Sequence, residues 1–162
     1  MKMGRLAALL IAVSAAAGQG SAQLADKKAL TLTVVKQIAA AAEAQAARDK
    51  VPIVIAIVDD GGNLMYLERM DETSLHSIEI AEGKAHTALA WQHPTKTLED
   101  NVAAGHLTIL GQPGNIAAEG GIPLTTADGK MLGAIGISGG SSQQDGVIAK
   151  AGVDALAKIL GH

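Results

Sequence analysis

One stretch in the middle of the chain gathers most of the side chains that could do chemistry. The segment SIEIAEGKAHTALAWQH, residues 77–93, lies in a run that is typical of a helix and ends just before Pro94. On a helix, Lys84, Thr87 and Trp91 recur at i, i+3 and i+7 and therefore share one face. His86 lies roughly a hundred degrees round the same helix. The segment thus offers a cation, a hydroxyl and an indole on one side and an imidazole on another.

A second set of polar side chains shares its own face of this helix. Glu79, Glu82 and His86 also recur at i, i+3 and i+7. Two carboxylates with one imidazole could hold a hard metal ion such as ferric iron. An acidic helix face that is simply hydrated explains the same spacing. The remaining histidines are isolated in sequence, so no set of two histidines and a carboxylate is indicated; they are His76, His93 and His106.

The stretch GKMLGAIGISGGSSQQD, residues 129–145, places glycines along a strand and then begins a helix. Its glycine spacing fits neither the dinucleotide-binding fingerprint nor the P-loop, which ends in Gly-Lys-Ser/Thr. Glycine in a strand marks a close approach of something to the backbone. A packed helix, a second subunit and a flat ligand all satisfy that requirement. Ser141 with Gln144 fits a capping box at the start of the last helix.

The residue types and motifs of the chain do not identify a catalytic site. The chain has no cysteine, so a cysteine nucleophile is excluded. Ser138 in GISGG suggests an exposed serine at a sharp turn, but no partner histidine can be named for it. Several carboxylates could do acid–base work, but turns and helix caps account for them equally well; they are Asp59, Asp60, Asp71 and Asp145. Whether the protein is an enzyme stays undecided from the residues.

The first 22 residues have the pattern of a secretory signal peptide. Lys2 and Arg5 precede an apolar run over residues 6–17, and small residues lead to a cleavage site before Gln23. The apolar run is too short to span a membrane as a helix. We therefore predict residues 1–22 as a signal peptide and residues 23–162 as a single domain, periplasmic or secreted, without a membrane span in the mature chain.

Charge and composition limit the classes of molecule that the chain is expected to bind. The net charge is −3, and removal of Lys2 and Arg5 would make the domain more acidic. There is no phenylalanine, one tryptophan and one tyrosine. A chain without a basic stripe and with so few aromatic side chains to stack on bases is not expected to bind nucleic acid.

The pattern of elements predicts an α+β domain. Helices are indicated over residues 24–50, 74–92 and 97–108, and a final helix starts at Ser141 or Ser142. Ser74 could cap the second helix. The sequence Asp-Asp-Gly-Gly at 59–62 indicates a β-hairpin. Further strands are indicated near Ile116, over residues 122–125 and just before the glycine corner, which is formed by Gly139 and Gly140. Because hairpins dominate, we predict a mainly antiparallel five-stranded sheet flanked by helices.

Four motifs in order resemble one known family. VDDGGNLMYLERMD at 58–71, KAHTA at 84–88, GGIPL at 120–124 and GAIGISGG with the following QD are similar to the GlcG/HbpS-like haem-binding (DUF336) family. The same domain forms the C-terminal part of some PduO proteins. The resemblance covers about residues 24–160. It implies a profilin-like or PAS-like domain that assembles as a homo-oligomer, with octamers known, and that binds haem; some secreted members are said to degrade haem or to sense iron.

The resemblance also implies roles for particular residues. A threonine is assigned as an iron contact in one branch, and Thr87 is the matching position, while the adjacent His86 would bind haem iron more strongly. Arg69 and Lys84 could pair with haem propionates, and Trp91 could cover the ring. Glu79 and Glu82 resemble a peripheral iron-binding pattern of secreted members. The plainer alternatives place Thr87 at a helix interface and pair Arg69 with Glu68 or Asp71.

The function predicted from the sequence is a secreted or periplasmic haem- or tetrapyrrole-binding protein with an iron- or haem-sensing or storage role. One alternative is an enzyme, with weak oxidative haem degradation or the conversion of a small molecule. Another is an accessory or sensory module for a periplasmic oxidoreductase or a membrane kinase. A Soret band on titration with hemin tests the first, and loss of that band with a reductant, giving a bilin or free iron, tests the haem-degrading enzyme.

Overall fold

The computed structural model describes residues 27–161, so the predicted signal peptide, residues 1–22, lies outside the described residues. One antiparallel sheet has the strand order β2-β1-β4-β3. No helix in the described range is long and apolar enough to cross a membrane. The elements are α1 (Leu32–Asp49), β1 (Val54–Asp59), β2 (Leu64–Arg69), α2 (His76–Trp91), α3 (Thr95–Ala103), a 3-10 turn (Leu107–Gly111), β3 (Gly121–Thr125), β4 (Met131–Ser138) and α4 (Ser142–Ile159).

The predicted α+β class with an antiparallel sheet flanked by helices is confirmed, but the sheet has four strands in the described residues and not five. The segment near Ile116 is a loop. Its backbone N–H donates to the hydroxyl oxygen of Thr87 on α2 at 2.9 Å and not to a neighbouring strand. A side chain on the helix therefore takes the hydrogen bond that a strand ladder would have used.

The local signals at the chain turns are mostly confirmed. The Asp59 carboxylate accepts the backbone N–H groups of Gly61 at 2.9 Å and Asn63 at 2.8 Å, which closes the predicted β1–β2 hairpin. Ser141 and Gln144 form the predicted capping box at α4. The prediction for Ser74 was wrong, since α2 begins after Leu75 and no side chain caps it.

The two faces of the sheet are packed differently. Large aliphatic side chains of β1 and β4, such as Ile55 and Ile137, point toward α1 and α4 and form the main core. The other face carries small residues, because α2 lies close across it. A Cβ on Gly136 would overlap the carbonyl oxygen of Ala81 and lie 2.6 Å from the backbone nitrogen of Ala85. The strand glycine therefore makes room for a helix.

Candidate functional site

One flank of α2 faces the loop that precedes β3. Thr87 is buried, and its hydroxyl oxygen accepts the Ile116 N–H at 2.9 Å. The Trp91 indole N–H donates to the side-chain oxygen of Asn115 at 2.9 Å. Both predicted ligand-binding residues thus hold the loop against the helix. These are the contacts expected from the plainer alternative for Thr87, in which the residue lies at a helix interface.

Lys84 lies underneath, between the helix and the glycine corner. Its ammonium donates to the Asp145 carboxylate at 2.7 Å and to the Ile137 carbonyl oxygen at 3.0 Å. The second carboxylate oxygen of Asp145 accepts the Gly140 N–H at 2.9 Å. Both side chains of this ion pair are only 3% exposed. The pair therefore ties α2 to the start of α4 and leaves the ammonium closed to an outside ligand.

The opposite flank of α2 borders an open stretch of the sheet. Leu64, Leu67 and Arg69 on β2 lie across from Val58, Ala56 and Val54 of β1, whose side chains pack beneath α2. Cross-strand partners point to the same face of a sheet. Because α2 lies over β1, β4 and β3, no helix among residues 27–161 covers this face of β2, and Leu64 and Leu67 are 49% and 39% exposed.

We name this feature the α2–β2 groove. Its floor is Leu64, Leu67 and Arg69. The flank of α2 that carries Ile78, Glu82, His86 and Leu89 forms a wall of this groove.

His86 stands at one end of this wall. It is exposed, and its Nδ1 would lie 3.6 Å from a Cβ on Gly62, so the ring sits beside the β1–β2 turn. Arg69 is exposed at the other end of the floor, and none of the ion pairs among the described residues involves it. The structure thus brings His86 and Arg69 to one groove and places Thr87, Lys84 and Trp91 elsewhere.

The predicted metal set is not assembled into a site. Glu79, Glu82 and His86 share one side of α2, but no group of three or more histidine, aspartate or glutamate side chains in residues 27–161 is placed to hold a metal ion. Glu79 is exposed, and its carboxylate lies 4.0 Å from Nδ1 of His76 instead.

Two cavities lie on the far side of the sheet, away from these residues. One of about 350 Å³ is a shallow groove between α1 and α4, floored by alanines such as Ala44 and Ala151. The other, of about 200 Å³, is lined by aliphatic side chains that include Leu30 and Leu132. Neither cavity contains a residue that the sequence had singled out for binding.

Glu119, in the loop before β3, has an unusual environment. Its carboxylate packs against Gly146 at the start of α4, where a Cβ would overlap it. Burial raises the pKa of this carboxyl above its ordinary value of 4.5, and nearby lysines only partly oppose the effect. The charged groups that face it are Lys96, Glu99, Asp100 and Lys84.

This environment predicts a pH-dependent stability. A carboxyl whose pKa is higher in the folded chain favours folding below its unfolded pKa, and that contribution is lost as pH rises through the folded pKa. We therefore expect Glu119→Gln to become more stable relative to the native chain as pH rises from below 4.5 to neutral. Urea unfolding of both proteins at several pH values measures the difference.

Asp128 provides a control of opposite sign. Hydrogen bonds from Thr126 and Lys130 lower its pKa to about 2. Its contribution is present above the ordinary value of 3.8 and is lost as pH falls toward 2. Asp128→Asn should therefore lose relative stability as pH rises, and the same trend for both variants would contradict the assignment of Glu119.

Comparison with known proteins places the chain among haem-related proteins. The family model described as haem degrading protein HbpS-like matches residues 30–154. Protein GlcG of Escherichia coli strain K12 is 36% identical over 112 residues, which cover 69% of this chain and 83% of GlcG. Corrinoid adenosyltransferase PduO of Salmonella typhimurium is 35% identical over 136 residues, 79% of this chain but only 39% of PduO.

Solved structures agree with the sequence matches. The crystal structure of a PduOC–haem complex is 36% identical with a TM-score of 0.71, and the match covers 79% of this chain and 95% of that one. The crystal structure of HbpS is 35% identical with a TM-score of 0.74, covering 86% and 96% respectively.

Proposed function

The chain belongs to the HbpS-like family, and from that premise we propose that it is a periplasmic or secreted protein that binds haem or a related tetrapyrrole. The observation that carries the proposal is the α2–β2 groove. An exposed apolar patch rimmed by polar residues marks a binding surface. A relative with a similar structure has been solved as a haem complex.

The residues of the groove fit the chemistry of haem. The exposed faces of Leu64 and Leu67 offer an apolar surface to the ring. Arg69, which makes no ion pair in residues 27–161, offers a charge-assisted hydrogen bond to a propionate. His86 offers an imidazole nitrogen to the iron. Bound haem would supply a redox-active iron.

We assign the iron-ligand role to His86 rather than to Thr87. The hydroxyl oxygen of Thr87 already accepts the Ile116 N–H, and the residue is buried. Iron could reach it only after the loop that contains Ile116 had moved. Lys84 supports the site indirectly, because its ion pair fixes the position of α2. We propose no separate iron site at Glu79 and Glu82.

Hemin titration tests the assignment. We expect a Soret band to develop with the native chain, and His86→Ala to weaken hemin binding about tenfold or more, which corresponds to a loss of at least about 1.4 kcal/mol. His93→Ala is the matched control, since His93 is also exposed and lies just beyond α2. Thr87→Val should leave the Soret band in place. If Thr87→Val loses the Soret band and His86→Ala keeps it, the haem site lies on the flank of α2 that faces the loop before β3, and not in the groove.

Degradation of haem is the second candidate, and the description of the family favours it. If the protein degrades haem, the Soret band of the hemin-loaded chain should decay with a reductant and oxygen, and bilin or free iron should appear. The same decay with hemin alone would attribute the reaction to solution chemistry. A sensing or storage role would instead leave the bound haem intact.

Export is part of the proposal. N-terminal sequencing of the protein recovered from periplasm or medium should begin at Gln23, if residues 1–22 are a cleaved signal peptide. A mature chain that retains Met1 would contradict it.

A further inference from the structure

The chain crosses one flank of α2 just before β3, and we name this segment, residues 112–119, the strap. It contains no helix or strand. The side chain of Ile116 packs on α2 at Gly83, where an added Cβ would lie 2.7 Å from it. The backbone N–H of Ile116 and the side chain of Asn115 make the two hydrogen bonds to α2 described above. The strap therefore covers the flank of α2 that carries Thr87.

Glu119 fastens the end of the strap to two other helices. Its backbone N–H donates to the Glu99 carboxylate of α3 at 2.6 Å, and its own carboxylate packs against Gly146 in the first turns of α4. The next residue, Gly120, already belongs to the sheet, because its carbonyl oxygen accepts the Ile137 N–H at 2.9 Å. Glu119 is therefore the point at which the strap is held before the chain enters β3.

The closed strap places the Glu119 carboxylate where a negative charge is disfavoured. The charged groups that face it are Glu99, Lys96 and Asp100 on α3, and Lys84 on α2 with its partner Asp145 on α4. Lys96 is hydrogen-bonded to Asp100. Lys84 is hydrogen-bonded to Asp145. Both cations are thus already paired with other carboxylates, while burial and the charge of Glu99 oppose ionisation of Glu119.

We propose that the strap is a pH-sensitive cover on α2, closed while Glu119 is protonated and released when this carboxyl loses its proton to water. Release frees the Thr87 hydroxyl, which the Ile116 N–H occupies in the closed strap. Opening liberates one proton, so above the ordinary pKa of 4.5 the ratio of open to closed strap rises about tenfold per pH unit until the closed form also ionises. This device is separate from the α2–β2 groove and does not depend on haem.

The lone tryptophan of the chain tests the proposal, because its indole N–H is held by Asn115 of the strap. We expect the emission maximum of Trp91 to move to longer wavelength as the pH of the native chain is raised from below 4.5 to neutral. Glu119→Gln cannot ionise and should lose this shift. Glu79→Gln is the matched control, since it removes an exposed carboxyl from α2 itself and should keep the native shift.

Hydrogen exchange at the Ile116 amide measures the same equilibrium without the tryptophan. Its protection factor, corrected for the intrinsic rate at each pH, should fall about tenfold per pH unit in the native chain over the range in which the strap opens. In Glu119→Gln the protection factor should stay constant. A constant protection factor in the native chain overturns the inference.

Two further outcomes count against the strap. An equal shift of Trp91 emission in Glu119→Gln assigns the response to other titratable groups, such as His93 two residues away, and overturns the role of Glu119. Far-ultraviolet circular dichroism of the native chain should stay unchanged over the same pH series. Loss of helical signal in parallel with the emission shift also overturns the inference, because the whole domain would then be unfolding.

Discussion

Replacing Lys84 by methionine should lower the free energy of unfolding by about 3–5 kcal/mol, because it leaves the Asp145 carboxylate buried without its cation. The two side chains are 3% exposed, and the ammonium also holds the Ile137 carbonyl oxygen. Urea unfolding followed by circular dichroism measures the loss. A domain of this size has only about 5–15 kcal/mol of stability, so the variant should unfold at much lower urea.

The surface pair Lys150–Asp154 gives a matched control for this prediction. Its atoms are also 2.7 Å apart, but the two side chains are 67% and 53% exposed. Lys150→Met should cost at most about 1 kcal/mol. If Lys84→Met costs no more than Lys150→Met, the buried pair does not secure α2 as described.

A double variant separates the loss of the pair from the loss of charge balance. Lys84→Met with Asp145→Leu removes both buried charges, and such replacements are often close to neutral. Recovery should be partial here, because the Gly140 N–H loses the carboxylate oxygen that accepts it. We expect the double variant to be more stable than Lys84→Met alone and less stable than the native chain.

The Lys84–Asp145 pair also illustrates what the sequence could not predict. The helix of Lys84 and the capping box beside Asp145 were both predicted, since their signals lie within a few residues. The pair itself joins positions 61 residues apart. Asp145 had an adequate local explanation as a capping residue. Only the packing of α2 over the end of β4 brings the ammonium to it.

The position of the α2–β2 groove could not be predicted for a similar reason. Arg69 and His86 were each predicted as ligand-binding residues, but nothing local places them at one surface. Their relation depends on the register of β2 against β1 and on which strands α2 covers. The prediction of a fifth strand was wrong because a distant contact overrides a local signal. Ile116 carries the side chain of a strand residue, but its N–H is taken by Thr87 of a helix 29 residues away.

Gly136→Ala is expected to have the second large effect, about 1–3 kcal/mol of destabilisation. The added Cβ would overlap the Ala81 carbonyl oxygen and approach the Ala85 backbone nitrogen to 2.6 Å. These are backbone atoms of α2 and cannot rotate away, so the helix must lift from the sheet. Thermal unfolding measures the cost.

The lone tryptophan of the chain reports whether the helix moves. Trp91 ends α2, and its indole N–H is held by Asn115. A lifted helix should release this contact and shift the fluorescence maximum to longer wavelength. Gly111→Ala is the control, since no atom lies within 4 Å of its Cβ and the backbone there needs no glycine; it should change stability by less than about 0.5 kcal/mol. If Gly136→Ala matches Gly111→Ala in both measurements, Gly136 is not needed for the close packing of α2 on the sheet. The surface beside Gly136 is then again a candidate site for a flat ligand.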